Sequence, residues 1–250
     1  MGVLLITGSS GIAEATAVLA SQNDWRVFVV GREEEECRNL SSRLPGSAFQ
    51  VADLREEAAT EAAFQACVDK FGEIDAVFAV AGMSGRRFGD GPLHECSLDG
   101  WEHTFAANAR PAFLTGRSAV RYWLDNTRKG ALLNMSSVLA FSPEAHHFAT
   151  HAYAASKGAI ISMSRAMAAY YASNGIRVNV LAPALVKTPM SARAQTDPAI
   201  AQFIQRKQPL SEGFLDSSDI AETALFLLGE RSRHITGQVI AVDGGWSVTA

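Results

Sequence analysis

The chain has 250 residues, 48% of them hydrophobic and 19% charged, enough apolar material for one large α/β domain or two small ones with ample core. Its net charge of −4, with 22 basic and 26 acidic residues and no basic stripe, points away from nucleic acid. No apolar run approaches the ~20 residues of a membrane span. Cys37, Cys67 and Cys96 are scattered with no Cys-x-x-Cys, so we expect neither a disulfide frame nor a zinc site, and a reduced, cytoplasmic setting.

Short β-branched runs alternate with longer helical patterns along the chain. The first strand is expected at Val3–Thr7, followed by a helix at Ile12–Ser21. Then come a strand at Arg26–Gly31 and a helix at Glu33–Leu44, whose acidic start suits the positive end of the helix dipole. A strand at Ala48–Val51, a helix at Glu56–Phe71 and a strand at Ala76–Ala81 follow. A helix is expected at Leu98–Asn126, broken near Pro111, then a strand at Ala131–Ser136 and a helix at Ala152–Ala172. Asn174-Gly175 stops that helix before a strand at Arg177–Leu181, and Ser218–Leu228 and Val239–Val242 supply a last helix and strand. Near-continuous apolar strands and repeated βα units predict one α/β domain over residues 1–250. Its core is a doubly wound parallel sheet of about seven strands with helices on both faces. The polar stretch 189–214, with Pro198 and Pro209, reads as a mobile substrate lid or as an ordered pair of surface helices.

The chemistry-bearing residues fall at strand ends, where such sheets hold their ligands. Gly8, Ser9, Ser10, Gly11 and Ile12 form a glycine turn between the first strand and first helix, the setting in which backbone N–H groups meet a pyrophosphate. Gly31 stands where an acid would bind a ribose 2′-hydroxyl, and Arg32 beside it suits a 2′-phosphate, which favours NADP(H) with NAD(H) the alternative. Asp53, read alone, is a helix N-cap. At the end of the fifth strand a serine hydroxyl, Ser137 or its neighbour Ser136, can donate to a substrate oxygen as negative charge grows on it. Tyr153 and Lys157 are four apart on a helix and share a face. An ammonium ~4 Å from the phenol, at an effective dielectric of ~20, is worth ~4 kcal/mol and lowers its pKa by up to roughly three units. His146, His147 and His151 lack a nearby cysteine and fit a polar pocket wall or a solvent-facing loop better than a metal site. Arg86 and Arg87, in the glycine-rich loop Gly82–Pro92, either meet an acidic substrate or are solvated.

Together these motifs resemble the short-chain dehydrogenase/reductase family over essentially the whole chain. That family's turn reads Thr-Gly-x-x-x-Gly-x-Gly; here one residue is missing between Gly8 and Gly11, and Ala13 replaces the last glycine. The family's Asn-Asn-Ala-Gly is Val80 preceded by Ala79, then Ala81 and Gly82, so both asparagines are absent and another brace is expected. The resemblance implies a single-domain Rossmann-type fold and hydride transfer between NADP(H) and a small-molecule carbonyl or secondary alcohol. Tyr153 would be the acid/base, Lys157 the residue that lowers its pKa and binds the nicotinamide ribose, Ser137 the group orienting the reacting oxygen, and Asn108 the holder of a relay water. Asp53 and Leu54 would border the adenine, Ala81 and Gly82 would wall the cofactor, and Pro183, Val186 and Thr188 would line the nicotinamide. No metal is implied, and the last strand with Asp243-Gly244-Gly245 implies a homotetramer. A nucleotide-sensing protein without chemistry is the alternative outside enzymes.

Overall fold

Seven parallel strands form one sheet in the order β3-β2-β1-β4-β5-β6-β7 in the computed structural model, which describes residues 2–249. They are β1 (Val3–Thr7), β2 (Arg26–Gly31), β3 (Ala48–Val51), β4 (Ala76–Ala79), β5 (Gly130–Met135), β6 (Ile176–Pro183) and β7 (Val239–Val242). The helices are α1 (Ile12–Gln22), α2 (Glu34–Ser42), α3 (Glu57–Phe71), α4 (Leu98–Asp125), α5 (His151–Tyr171), α6 (Ala192–Gln195), α7 (Pro198–Lys207) and α8 (Ser217–Leu228). Every residue of β1 is buried, and its side chains alternate between the two faces. Leu4 and Ile6 join a core with α1, α2 and α8, while Val3 and Leu5 join one with α3, α4 and α5. A strand covered on both faces has no polar side, which is why these runs read as continuous apolar sequence.

The strand order reverses between β1 and β4, opening a crevice at their C-terminal ends. β4 ends at Ala79, two residues before the expected Ala81. The reason is also the missing brace: the Thr7 hydroxyl accepts from Val80 N–H at 2.9 Å and Ala81 N–H at 3.1 Å, drawing the chain out of the ladder.

The helix predicted to break near Pro111 is instead continuous from Leu98 to Asp125. Pro111 is buried, and packing around it outweighs the one hydrogen bond its missing N–H removes. Between β6 and α8, helices α6 and α7 bury Ala194, Ile200 and Ile204 in a small core of their own with Phe148, Leu185, Phe203 and Phe214. The fully buried Gln208 anchors this pair: its side chain accepts from Leu185 N–H and donates to Leu185 O and Gly213 O.

Candidate active site

The crevice begins at the glycine turn. Gly8 (φ 108°) and Gly11 (φ 59°) both occupy backbone space that favours glycine, so the turn is closed although one residue short. Gly11 opens α1 with no side-chain cap, and the first turn's donors face the crevice for an anion. Two cavities meet along Gly8, Ser9 and Ser10 and along Ala81 and Gly82. One, of about 220 Å³, is bordered by Arg32, Asp53 and Leu54. The other, of about 280 Å³, is bordered by Gly11, Ile12, Lys157, Pro183, Val186 and Thr188.

Small residues here are required by close approach. A Cβ on Gly31 would lie 2.6 Å from Cys37 Sγ and 3.2 Å from Ser9 Oγ. A carboxylate side chain cannot stand there without moving Cys37, whose thiol burial pushes toward higher pKa. A Cβ on Gly82 would lie 2.6 Å from Asn108 Oδ1 and 3.2 Å from Lys157 Nζ. The uncapped helix start, the glycine cradle and the flanking guanidinium fit a dinucleotide phosphate backbone.

Asp53 is not a helix cap: α3 starts at Glu57 with Glu56 before it. Its carboxylate accepts from Arg55 Nε at 2.9 and 3.0 Å and from Arg55 N–H at 3.0 Å, and the Arg55 hydrogen bonds hold it below the usual carboxylate range. Arg55 also borders the smaller cavity. The sequence reading missed it, because nothing in its spacing distinguishes it from a solvated arginine.

At the other end β5 delivers two serines to different partners. The Ser136 hydroxyl donates to Lys157 O at 2.9 Å and pins α5 to the sheet. The Ser137 hydroxyl accepts from Leu139 N–H at 3.3 Å and caps the short turn after β5.

Lys157 is buried, its Nζ 5.6 Å from the centre of the Tyr153 ring, and it donates to Met135 O at 3.1 Å. The expectation that it lowers the Tyr153 pKa is not met in this structure. Burial pushes the phenol up to about 12, opposed in part by Ser137. Burial likewise pulls the ammonium down to about 8. The physical reason is placement: the ammonium faces the ring and a carbonyl, and desolvation dominates both groups.

Asn108 is fully buried, and both ends of its amide are taken by Met83, accepting from its N–H at 2.9 Å and donating to its O at 3.1 Å. It therefore fixes the loop after β4 beside Lys157. Among the described residues no group of three metal-ligating side chains occurs. In the loop of His146 and His147, Glu144 accepts from three successive backbone N–H groups, of His146, His147 and Phe148. Trp246, fully buried, packs edge-on against Phe148 and Phe203, so the chain's last described turn supports the wall of the larger cavity.

Asp90 is a positioning residue that sequence reasoning missed. It is buried, and its two carboxylate oxygens accept from Ala152 N–H and Tyr153 N–H, each at 3.0 Å. It thus caps α5 from another element and stands at the positive end of that helix, while Thr150, the local cap position, makes no side-chain cap. A cap supplied across 62 residues has no local motif to find. Asp90→Ala should cost roughly 2–4 kcal/mol, since two buried donors lose their acceptor, with Asp90→Asn losing less. Urea melts of both variants check this, and an unchanged midpoint in Asp90→Ala refutes it.

A doubly wound sheet with a glycine turn and a buried lysine lining the crevice at its strand ends fits a nicotinamide-dependent oxidoreductase. A family model described as Enoyl-(Acyl carrier protein) reductase matches residues 6–247. Glucose 1-dehydrogenase of Gluconobacter oxydans (strain 621H) is 33% identical over 252 residues, covering 97% of this chain and 90% of that protein. Momilactone A synthase of Oryza sativa subsp. japonica is also 33% identical, covering 98% and 90%. The crystal structure of 3-ketoacyl-(acyl-carrier-protein) reductase from Brucella melitensis, complexed with NADH, superposes with a TM-score of 0.88 at 26% identity, covering 99% of this chain and 98% of that one. The chain belongs to the short-chain dehydrogenase/reductase family.

Proposed function

We propose that the protein interconverts a carbonyl and a secondary alcohol with NADP(H), using Tyr153 as acid and base. The observation that carries this reading is Lys157, buried at the crevice with its Nζ 5.6 Å from the centre of the Tyr153 ring. The bound cofactor would supply or accept the hydride at the reacting carbon. Ser137 would donate to the substrate oxygen, and Tyr153 Oη would give its proton to that oxygen during reduction and recover it during oxidation. Lys157 would donate to the nicotinamide ribose from its position next to Gly82, and Asn108 would hold the adjoining loop in register for a relay water. Helices α6 and α7 would act as the substrate lid. Exposed Trp101, Phe113 and Leu124 along α4 offer apolar surface for assembly into a homotetramer.

The preference for NADP(H) rests on Arg32, which is exposed and in loose contact with Glu33 at 3.8 Å, and on the absence of room for an acid at position 31. NAD(H) is the second reading, favoured by Glu36, which borders the same cavity and accepts from Ser9 at 2.7 Å, where it would repel a 2′-phosphate. Arg32→Ala should weaken NADP(H) by roughly tenfold or more through loss of a charge-assisted pair and leave NAD(H) nearly unchanged. Fluorescence titration of both reduced cofactors decides it; equal losses rule out the assignment. Turnover is tested by following nicotinamide absorbance across a panel of ketones and secondary alcohols. Retained cofactor binding without turnover of any would leave the sensor reading standing.

A further inference from the structure

Two guanidiniums from separate elements converge beside the larger cavity. Arg86, in the short turn after β4, and Arg193, on α6, both donate to the carbonyl oxygen of His147, at 2.7 and 3.2 Å. Both border the cavity that Lys157 and Phe148 also border. The Arg193 guanidinium lies 6.0 Å from the centre of the Phe148 ring, which holds it over that wall. Arg87 differs: it lies against Phe88, 4.8 Å from the ring centre, and does not border the cavity.

Among the described residues neither Arg86 nor Arg193 forms an ion pair with a carboxylate. The acids in this neighbourhood are already engaged: Asp90 by Ala152 and Tyr153, Glu144 by three backbone N–H groups of its own loop. Arg86, exposed as a residue but with its guanidinium partly desolvated beside the cavity, is held below its ordinary basicity first by that desolvation and then by the charge of Arg193, with Asp90 opposing in part. One carbonyl oxygen therefore serves two cations that repel each other, although each guanidinium carries five donors. A planar anion would satisfy both.

We propose that Arg86 and Arg193 form an anion-binding subsite, and that the substrate carries a carboxylate on a part of the molecule remote from its reacting carbon. A carboxylate accepts two parallel bonds from a guanidinium and can bridge a pair, which a neutral carbonyl cannot match. The subsite joins the loop after β4, the loop before α5 and helix α6, so charge on the substrate would tie all three segments together. This inference rests on the oxidoreductase reading for its substrate but not for its measurement.

The test is calorimetric titration of cyclohexanecarboxylate and of neutral cyclohexanecarboxamide into the protein with NADP⁺ present, and separately with NAD⁺. The wild type should bind the acid at least roughly tenfold more tightly than the amide. Arg86→Gln and Arg193→Gln should each remove most of that preference, and the double variant all of it, with cofactor affinity unchanged. Equal binding of acid and amide by the wild type, including no binding of either, overturns the proposal. So does a preference that survives in the double variant. Loss of cofactor affinity in the double variant also overturns it, since the guanidiniums then serve a cofactor phosphate. Both side chains are exposed, so the variants should fold, which a thermal melt confirms. Turnover of neutral ketones without any acid preference removes only the subsite. Acid binding without turnover of any ketone or alcohol removes the oxidoreductase reading instead.

Discussion

Tyr153→Phe is expected to bind cofactor as tightly as the wild type and to lose roughly 10²–10⁴ of its turnover. The ring keeps its packing against Lys157, 5.6 Å from the ammonium, so neither the cavity nor the α5 register changes. Only the phenolic oxygen goes, and with it the proton. The same residue sets a pH dependence. A phenol pushed up to about 12 stays protonated throughout the neutral range. Reduction, which needs the acid, should be level between about pH 6 and 8, while oxidation, which needs the base, should rise with pH over that span. Initial rates in both directions, with cofactor affinity measured alongside, check both statements. Wild-type turnover in Tyr153→Phe would exclude Tyr153 as the acid/base.

Lys157→Met should abolish most turnover yet stabilise the fold. The ammonium is buried with one acceptor, Met135 O, for three donors, and desolvation brings its pKa from 10.5 to about 8. Below pH 8 the group is charged in both folded and unfolded chains, and the folded state carries the full cost, roughly 3 kcal/mol. Between 8 and 10.5 the unfolded chain binds more protons than the folded one, so this cost shrinks and stability rises with pH. An uncharged methionine removes both the cost and the slope, less the bond to Met135 O. A rise in Tm of a few degrees is expected at neutral pH, at roughly 2–4 °C per kcal/mol for a chain of this size. Thermal melts at neutral pH and near pH 9 test this. A lower Tm in the variant would show that the ammonium is better paired than its single acceptor implies. Such a trade of stability for function is usual where a charge is buried for chemistry.

The strand runs were legible because parallel strands covered on both faces need apolar side chains throughout, and glycines at positions 8 and 11 needed positive φ. Tyr153 and Lys157 could be paired because helix spacing is a local property, while the choice of Ser137 over Ser136 came from the family resemblance. Pro111 misled, since a local breaker was set against the packing of a 28-residue helix. Arg55 and Asp90 could not be singled out, and nothing local distinguished Arg86 from Arg87.

The sequence by itself determined the parallel doubly wound sheet, the glycine turn and the shared helix face of Tyr153 and Lys157, because each follows from periodicity or spacing within a few residues. Tertiary structure alone decided which groups Ser136 and Ser137 bond, what replaces the missing asparagines, and that Asp90 caps α5. It also decided the direction of the Tyr153 and Lys157 shifts. Those outcomes depend on distance, burial and competing partners supplied by residues far away in the chain, and electrostatics inside a protein follows such surroundings more than separation along a helix.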